Sequence, residues 1–541
     1  MAFESALVGV IGSALGVAGG VGLVALIRVA MARYGMPLPD AGTGLSVRAV
    51  VVPIVVGTLV TVLSALAPAR KAGQVKPVEA MRSSEAATPQ PLRWRTVAGL
   101  VLVATGVAAA VYAMGWDDGP TGRRAALVGA AALAAITGLF LSGPALSLPV
   151  VPPLGRVIGA PFGAVGTLAS TNTRRNPRRT ATTAFALMLG IALVTVIGML
   201  GASMKRSVDD VATSEVSADF VLSGPQNGVF PLPEDLPERL QSVEGAGETA
   251  AYTQAPISVD GQFGYQLGGF GVTDVLRGDP ADLITLDMVA GSSSLDGNTI
   301  IAPEPLAQEH GWRVGGTLPV AGPTGESVEA TLGGLFAPSN ILQSFVVSDE
   351  AAAATGARGT GRILMIGVNN DGTVDEDQLR ANLEELVRHD IVVQVRSTQD
   401  MAGEVSAMID QMLFILYALL SLAVVIAVLG IVNTLTLSVI ERRQEIGMLR
   451  AVGTQRRQIR TMITLESVQM TVYGAILGVL LGLGLGWAFL TVLEAKGLTT
   501  IVVPWPLIGT VLAGSFVVGL LAAVWPAGRA AKTPPLDAIA E

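Results

Sequence analysis

The sequence predicts a multi-pass α-helical membrane protein with about eight transmembrane helices and one extracytoplasmic α+β domain. Three observations carry that prediction. Of the 541 residues, 50% are hydrophobic and 14% charged, where an ordinary soluble domain carries about 25% charged residues. Eight stretches contain no Asp, Glu, Lys, Arg or His and reach the roughly 20 helical residues that cross a hydrocarbon core. The net charge of −8 is also divided unevenly. Residues 205–410 hold 31 of the 43 acids but 10 of the 35 bases, a net of −21, which leaves +13 for the remainder. Such a chain does not fit an ordinary cytosolic enzyme.

The eight stretches are Ser5–Ile27, Ala49–Ala67, Thr96–Met114, Ala125–Val150, Thr180–Met204, Gln411–Ile440, Ser467–Leu493 and Trp505–Pro526. Repeated charge-free runs of this length are not the buried helices of a soluble core. The first lacks a basic leader and is longer than the roughly 7–15 apolar residues of a signal peptide. Basic residues follow every second run: Arg70, Lys71, Lys76, Arg82, Arg93 and Arg95, then Arg156, Arg174, Arg175, Arg178 and Arg179. Arg442, Arg443, Arg450, Arg456, Arg457 and Arg460 come next, and finally Arg529 and Lys532. Short basic loops stay in the cytoplasm, so both termini are expected inside and the acidic 205–410 segment outside. Within that segment Phe220–Leu222, Ile257–Val259, Ile300–Ile301, Phe345–Val347, Leu364–Ile366 and Ile391–Val395 are short β-rich runs among turn residues, and Asp375–His389 has helical character.

The chain contains an internal repeat. Glu4-Ser5 followed by Gly12, Gly16, Gly20 and Gly22 matches Glu466-Ser467 followed by Gly474, Gly478, Gly482 and Gly484 at a constant offset. Ala67-Pro68-Ala69-Arg70-Lys71-Ala72 with Pro77-Val78-Glu79-Ala80 matches Trp525-Pro526-Ala527-Gly528-Arg529-Ala530 with Pro535-Leu536-Asp537-Ala538, the second copy being shorter between the blocks. Glycines four residues apart share a helix face and let helix backbones approach closely in lipid. Gly12, Gly16, Gly20, Gly474, Gly478 and Gly482 are therefore candidate helix-packing residues. The first copy starts at Met1, level with about Ile463 of the second, and has no counterpart to the spans and outside segment that precede the second.

Several chemistries lack their residues. Without cysteine there is no disulfide framework or thiolate site, and His310 and His389 are the two histidines. Asp371, Asp375 and Asp377 lack the Gly and terminal Glu of an EF-hand loop. Ionisable residues inside membrane helices mark proton and ion relays, and the eight runs have none, which disfavours an ion-coupled transporter. No G-x-x-x-x-G-K-[S/T] loop cradles nucleotide phosphates. Asn433 and Thr434 form a polar pair near one end of the sixth run, suited to a helix–helix hydrogen bond.

The most informative segment is Glu441-Arg442-Arg443-Gln444-Glu445-Ile446-Gly447-Met448-Leu449-Arg450-Ala451-Val452-Gly453, continuing through Arg456, Arg457, Ile459, Arg460 and Glu466. Ile446 and Leu449 lie on one helical face, flanked by arginines, and two glycines offer a break and a close-approach point. This composition suits a short amphipathic helix at the cytoplasmic interface, able to dock on a soluble partner. A plain positive-inside anchor would have the same charge pattern.

This segment resembles the cytoplasmic signature of the FtsX-like permease family, membrane subunits of ABC transporters related to MacB and to the lipoprotein-releasing LolC/LolE proteins. Pro526 through Lys532 with Pro535 through Ile539 resembles the family's C-terminal signature, as does Pro68 through Ala80. Arg175-Asn176-Pro177-Arg178-Arg179-Thr180 leading into Ala181–Leu189 resembles the approach to the first span in long, two-module members of actinobacterial type. Ala218-Asp219-Phe220-Val221-Leu222 resembles the start of a MacB-type periplasmic core domain.

The resemblance implies a domain plan. Residues 1–82 are the closing part of a first module and 83–155 a linker pair of spans. Residues 156–204 are a cytoplasmic segment with the first span of a second module, 205–410 the extracytoplasmic domain, and 411–541 the C-terminal permease domain. It implies a long member lacking its N-terminal part, in the plasma membrane and surrounded by lipid. The chain itself would be no enzyme and bind no cofactor or nucleic acid. ATP and Mg belong to a separate ATP-binding subunit, present in two copies, and a missing half-module or a second copy is a further expected partner. Glu441, Arg442, Arg443, Glu445, Ile446, Gly447, Met448, Leu449, Arg450, Ala451 and Gly453 then couple to the ATPase. The implied function is export or extraction of amphipathic or lipid-linked cargo. The alternative is FtsX-type mechanotransmission to a cell-envelope hydrolase, without transport.

Overall fold

The computed structural model describes residues 2–33, 46–74, 92–116, 119–225, 230–267, 270–339, 341–357, 361–494, 498 and 500–532. Two compact units emerge. One comprises Met1–Ile197, Gln411–Ala488 and Trp505–Glu541, the other Gly198–Asp410 and Phe489–Pro504.

In the first unit the apolar runs form helices: α1 (Ala2–Arg33), α2 (Val47–Gln74), α3 (Leu92–Met114) and α4 (Thr121–Gly159). After α5 (Ala164–Arg175), α6 (Pro177–Glu215) continues into the second unit. Four short helices of that unit follow: α7 (Leu236–Leu240), α8 (Glu304–His310), α9 (Asp349–Ala354) and α10 (Glu376–Leu386). The chain closes with α11 (Thr398–Glu441), α12 (Arg443–Ala451), α13 (Arg456–Leu493) and α14 (Trp505–Ala531). Among the described residues, eight helices are long and apolar enough to cross a membrane, namely α1–α4, α6, α11, α13 and α14. They coincide with the eight charge-free runs but overshoot them. Lack of charge marks only the hydrocarbon section, whereas a helix continues wherever its flanks can be solvated. At 44 residues and about 1.5 Å per residue, α11 is roughly 66 Å long, about twice a hydrocarbon core.

One element departs from its expected form. The arginine-rich stretch after α4, expected as a basic loop, is mostly helical: α4 extends to Gly159 and α5 covers Ala164–Arg175. A single side is apolar enough to pack, through Ala169 and Val165, against Ile446, Ile459 and Met462. The bases occupy what remains. At the other end of the α3–α4 pair, the buried Arg124 guanidinium donates to the carbonyls of Ala113 and Met114 at 3.0 and 3.1 Å. It thereby satisfies carbonyls that the end of α3 leaves open.

The repeated helices pair alike. Helix α2 begins at Val47 and α14 at Trp505, so the shortening of the second copy falls before the second helix of each pair. In the first pair a Cβ on Gly9 would lie 3.3 Å from the Thr61 Cβ. In the second pair the equivalent positions are exchanged, Thr471 facing Gly519. Both pairs therefore fill one contact with one threonine and one glycine.

Helix α13 also lies directly on α6. A Cβ on Gly474, Gly478 or Gly482 would stand 2.7 Å from the carbonyl oxygen of Ala184, Met188 or Ala192, respectively. The contacts advance together along both helices, so these run parallel. Only glycine permits backbones this close. In α1, by contrast, the expected packing of Gly12, Gly16 and Gly20 is not found: nothing described lies within 4 Å of a Cβ at any of them.

The second unit is a 12-stranded sheet with covering helices. Its strands are β1 (Phe220–Ser223), β2 (Ala246–Ala255), β3 (Ser258–Val259), β4 (Tyr265–Leu267), β5 (Phe270–Arg277) and β6 (Met288–Gly291). Then come β7 (Thr299–Pro303), β8 (Thr317–Ala321), β9 (Ser327–Phe336), β10 (Val346–Ser348), β11 (Arg362–Asn370) and β12 (Gln394–Ser397). The order is β12-β1-β11-β2-β5-β10-β7-β9-β8-β3, with β4 on β5 and β6 on β9. Strand β1 is buried throughout, and period-2 alternation divides it. Phe220 and Leu222 join the cluster of Leu236, Leu240, Leu379 and Leu383, while Val221 joins that of Leu276, Ile301 and Phe336.

Adjacent antiparallel strands serve both long helices. Strand β1 follows α6 after a short link, β12 leads directly into α11, and Val221 pairs with Arg396 between them. Lys205 of α6 and Asp410 of α11 are ion-paired at 2.5 Å. The segment before α14 is held by α6, where Ser203 Oγ accepts from Val502 N at 2.9 Å and Asp210 from Thr500 Oγ1 at 2.8 Å.

Gly478→Ala should destabilise the α6–α13 contact by about 1–3 kcal/mol, because the new methyl meets a backbone carbonyl. Gly484→Ala, whose Cβ would enter open space, should be neutral or stabilising. Thermal unfolding in detergent would check this, and equal midpoints for the two variants would contradict it.

Candidate functional site

Helix α12 is the amphipathic segment singled out in the sequence. It is set off from α11 at Arg442, where φ is −102° and ψ 20°. Gly453 ends it with φ +102°, a conformation that costs other residues dearly. Two turn bonds close that end, Gly453 N to Arg450 O at 3.1 Å and Thr454 N to Leu449 O at 3.0 Å.

The inward face of α12 is anchored. Ile446 is 2% exposed and packs with Ala169, Val439, Ile459, Met462, Ile463, Ala527 and Ala530, with Leu449 against the same cluster. Gly447 is buried beside it. The remaining predicted coupling residues lie outward: Glu441, Arg443, Glu445, Met448, Ala451 and Gly453 are exposed, Arg442 and Arg450 half-buried. Met448 is 54% and Val452 89% exposed. Apolar residues so exposed beside Arg443 and Glu445 form a surface a protein partner could cover.

A polar network fixes the helix. Arg442 spans Glu445, at 2.9 Å, and the buried Glu466 of α13, at 3.2 Å. Glu466 also accepts from Asn172 Nδ2 of α5 at 2.7 Å. Arg179 at the start of α6 pairs with Glu441 at 3.1 Å and donates to the Thr434 carbonyl at 3.2 Å. Burial works against the Arg442 cation, but the charges and hydrogen bonds of Glu466 and Glu445 outweigh it and hold its pKa above the ordinary arginine value. One cluster thus ties α5, α6, α11, α12 and α13 together. Sequence reasoning did not single out Asn172, Arg179 or Glu466 as site residues. The signal available was Glu466 itself, an acid next to a charge-free run in an otherwise basic stretch.

Other side chains singled out in the sequence are accounted for locally. Asp375 caps α10 by accepting from Gln378 N at 2.7 Å. Hydrogen bonds from the Thr373 hydroxyl and amide lower the Asp371 pKa. His310 stacks on Trp312 at 5.1 Å, and the Trp312 indole in turn donates to Asp260 at 3.1 Å. The Thr434 hydroxyl bonds back to Gly430 O within its helix. Pro77–Ala80 and Pro535–Ile539 lie outside the described residues.

Residues 417–535, which contain α12 and Glu466 but not Asn172 or Arg179, match the family described as FtsX-like permease C-terminal. The chain is 30% identical over 178 residues to the uncharacterized ABC transporter permease YvrN of Bacillus subtilis, covering 32% of this chain and 41% of that protein. It is 28% identical over 425 residues to the macrolide export ATP-binding/permease protein MacB of Rhodospirillum rubrum, covering 72% of this chain and 63% of that protein. The matches thus span less than two thirds of these relatives. Among solved structures, the periplasmic region of MacB from Actinobacillus actinomycetemcomitans aligns with 35% of this chain and 94% of its own, at a TM-score of 0.26 and 12% identity.

Removing one partner of a buried ion pair costs about 3–5 kcal/mol, because it strands the other charge. Arg442→Ala should therefore destabilise the protein by that order. Arg442→Ala with Glu466→Gln should recover most of the loss. A double-mutant cycle on thermal unfolding checks this; additive losses would contradict the pairing.

Proposed function

We propose that this multi-pass membrane protein, which carries an FtsX-like permease C-terminal domain at residues 417–535, is the permease subunit of an ABC transporter. A separate ATP-binding subunit, in two copies, docks on the outward face of α12 and holds ATP and Mg. Its nucleotide-dependent movement passes through α12 to α11, α6 and the sheet they flank, displacing amphipathic or lipid-linked cargo. The basic side, with both termini, faces the cytoplasm and the acidic sheet unit faces outward.

The observation that carries this reading is the two-sidedness of α12. Ile446, Gly447 and Leu449 are committed to the helix bundle, whereas Met448 and Val452 are exposed beside charged residues. A plain basic anchor has no use for exposed apolar residues on a helix pinned by a buried ion pair. Mechanical transmission is supported by α11, a single helix from Thr398 at the edge of the sheet to Glu441 beside α12. Ser339 Oγ donates to Glu215 Oε2 at 2.8 Å, holding the far end of α6.

Outward variants give the clean test, because Gly447→Arg or Leu449→Asp would disrupt packing as well as docking. Met448→Glu with Val452→Glu should lower ATPase stimulation of the ATP-binding subunit co-purified from native membranes about tenfold, equivalent to roughly 1.4 kcal/mol of contact energy. The unfolding midpoint should not move. Unchanged stimulation would overturn the docking assignment. Intact stimulation and ectodomain movement with no ATP-dependent release of lipid-linked cargo from proteoliposomes would overturn the transport role and leave mechanotransmission.

A further inference from the structure

One face of α13 changes character along its length. Arg457, Arg460, Thr461, Thr464, Leu465 and Val468 follow the three- and four-residue spacing of a helix face, and all six line one groove. From the start of α13 inward, that face is first basic, then hydroxylic, then apolar. The gradient from Arg457 to Val468 covers roughly 16 Å at about 1.5 Å per residue. The opposite walls are apolar: Phe162, in the turn between α4 and α5, with Phe516 and Leu520 of α14. All three side chains are exposed, and the groove measures about 560 Å³. The bases at its mouth have no acid of their own. Between residues 441 and 493 the acids are Glu441, Glu445 and Glu466. Glu441 is paired with Arg179, and Glu445 and Glu466 with Arg442. Among the described residues, neither the Arg457 nor the Arg460 guanidinium has an ion pair or hydrogen bond. A second groove of about 560 Å³, on α1 and α2, is lined by Val10, Ile54, Thr58 and Val62 among others and has no charged residue. A lipid-facing groove on this bundle therefore does not require bases, and those of α13 need a separate reason.

We propose that the α13 groove binds one anionic phospholipid, with its phosphate on Arg457 and Arg460 and an acyl chain laid over Leu465, Val468, Phe516 and Leu520. Guanidinium groups match phosphate oxygens in geometry and charge, and basic pockets between membrane helices select anionic headgroups. Thr461 and Thr464 stand between the bases and the apolar walls, level with the ester oxygens of such a lipid. A free anion would leave the apolar walls unused. A zwitterionic lipid would bring its own cation to bases that have no acid beside them. The site thus differs from the lipid around any membrane helix in selecting its headgroup. An occupant would bridge the turn after α4 to α14, so binding should stabilise the bundle. The inference requires that α13 and α14 cross a membrane and is independent of ATP coupling and of cargo.

The full chain, delipidated in a neutral detergent, would be titrated with dioleoyl phosphatidylglycerol or dioleoyl phosphatidylcholine. Thermal unfolding and native mass spectrometry would follow binding. Phosphatidylglycerol should raise the unfolding midpoint and be retained as a one-lipid adduct about tenfold more tightly than phosphatidylcholine. Arg457→Gln with Arg460→Gln should remove that preference and leave the lipid-free midpoint in place, since neither side chain has a partner to lose. Arg174→Gln with Arg175→Gln, at exposed bases of α5 outside the groove, should keep the preference. Equal retention of the two lipids by the unaltered chain would overturn the proposal, as would a preference that survives Arg457→Gln with Arg460→Gln. Equal loss in the α5 variant would overturn it too, by showing attraction to basic charge at large. A midpoint rise reproduced by inorganic phosphate would do the same, because the apolar walls would then play no part.

Discussion

The carboxylate of Glu466 is the constraint on which the permease-like end of the chain depends. A charge at 5% side-chain exposure is tolerated only when paired and hydrogen-bonded. Its partners come from two different elements: Arg442 at the head of α12 and Asn172 in α5. Satisfying this one group therefore fixes how α12 and α5 lie on α13. Once Arg442 is held, Ile446 must point into the bundle and Met448 and Val452 must point out. The face available to a partner follows from where a single acid is buried.

A second constraint is continuity. Helices α6 and α11 are single elements of 39 and 44 residues, and a helix resists bending far better than a loop. They connect to neighbouring strands β1 and β12, which pair antiparallel at one edge of the sheet. The Lys205–Asp410 pair and the bonds of Glu215 to the Ser339 region resist independent drift at those ends.

Much of the helical architecture was legible because lipid imposes a coarse rule: about 20 residues without charge. The overshoot of α4 and α6 was not legible, since polar helix beyond the hydrocarbon leaves no hydropathy signal. Helix α5 was hidden by its arginines; its Ala169 face becomes apolar only in the company of Ile446 and Met462. The repeat revealed the glycine spacing of both copies, but only coordinates show that one face is filled and the other open. In the sheet unit, Phe220–Leu222 stood out as an unbroken apolar run. Strands β2, β5 and β9 mix Gly, Thr and charged residues and are ordered by their neighbours. The amphipathic character of α12 was plain in the sequence. Which face is anchored depends on Glu466, and no local pattern specifies that.

In the proposed mechanism, nucleotide state at α12 reaches the sheet unit through α6 and α11. Its most direct measurement is a distance distribution between spin labels at Thr213→Cys and Ala407→Cys, in the complex with its ATP-binding subunit, with and without trapped nucleotide. Two distinct distributions are expected, merging into one when Val452→Glu uncouples α12. Identical distributions in both nucleotide states would contradict transmission along these helices.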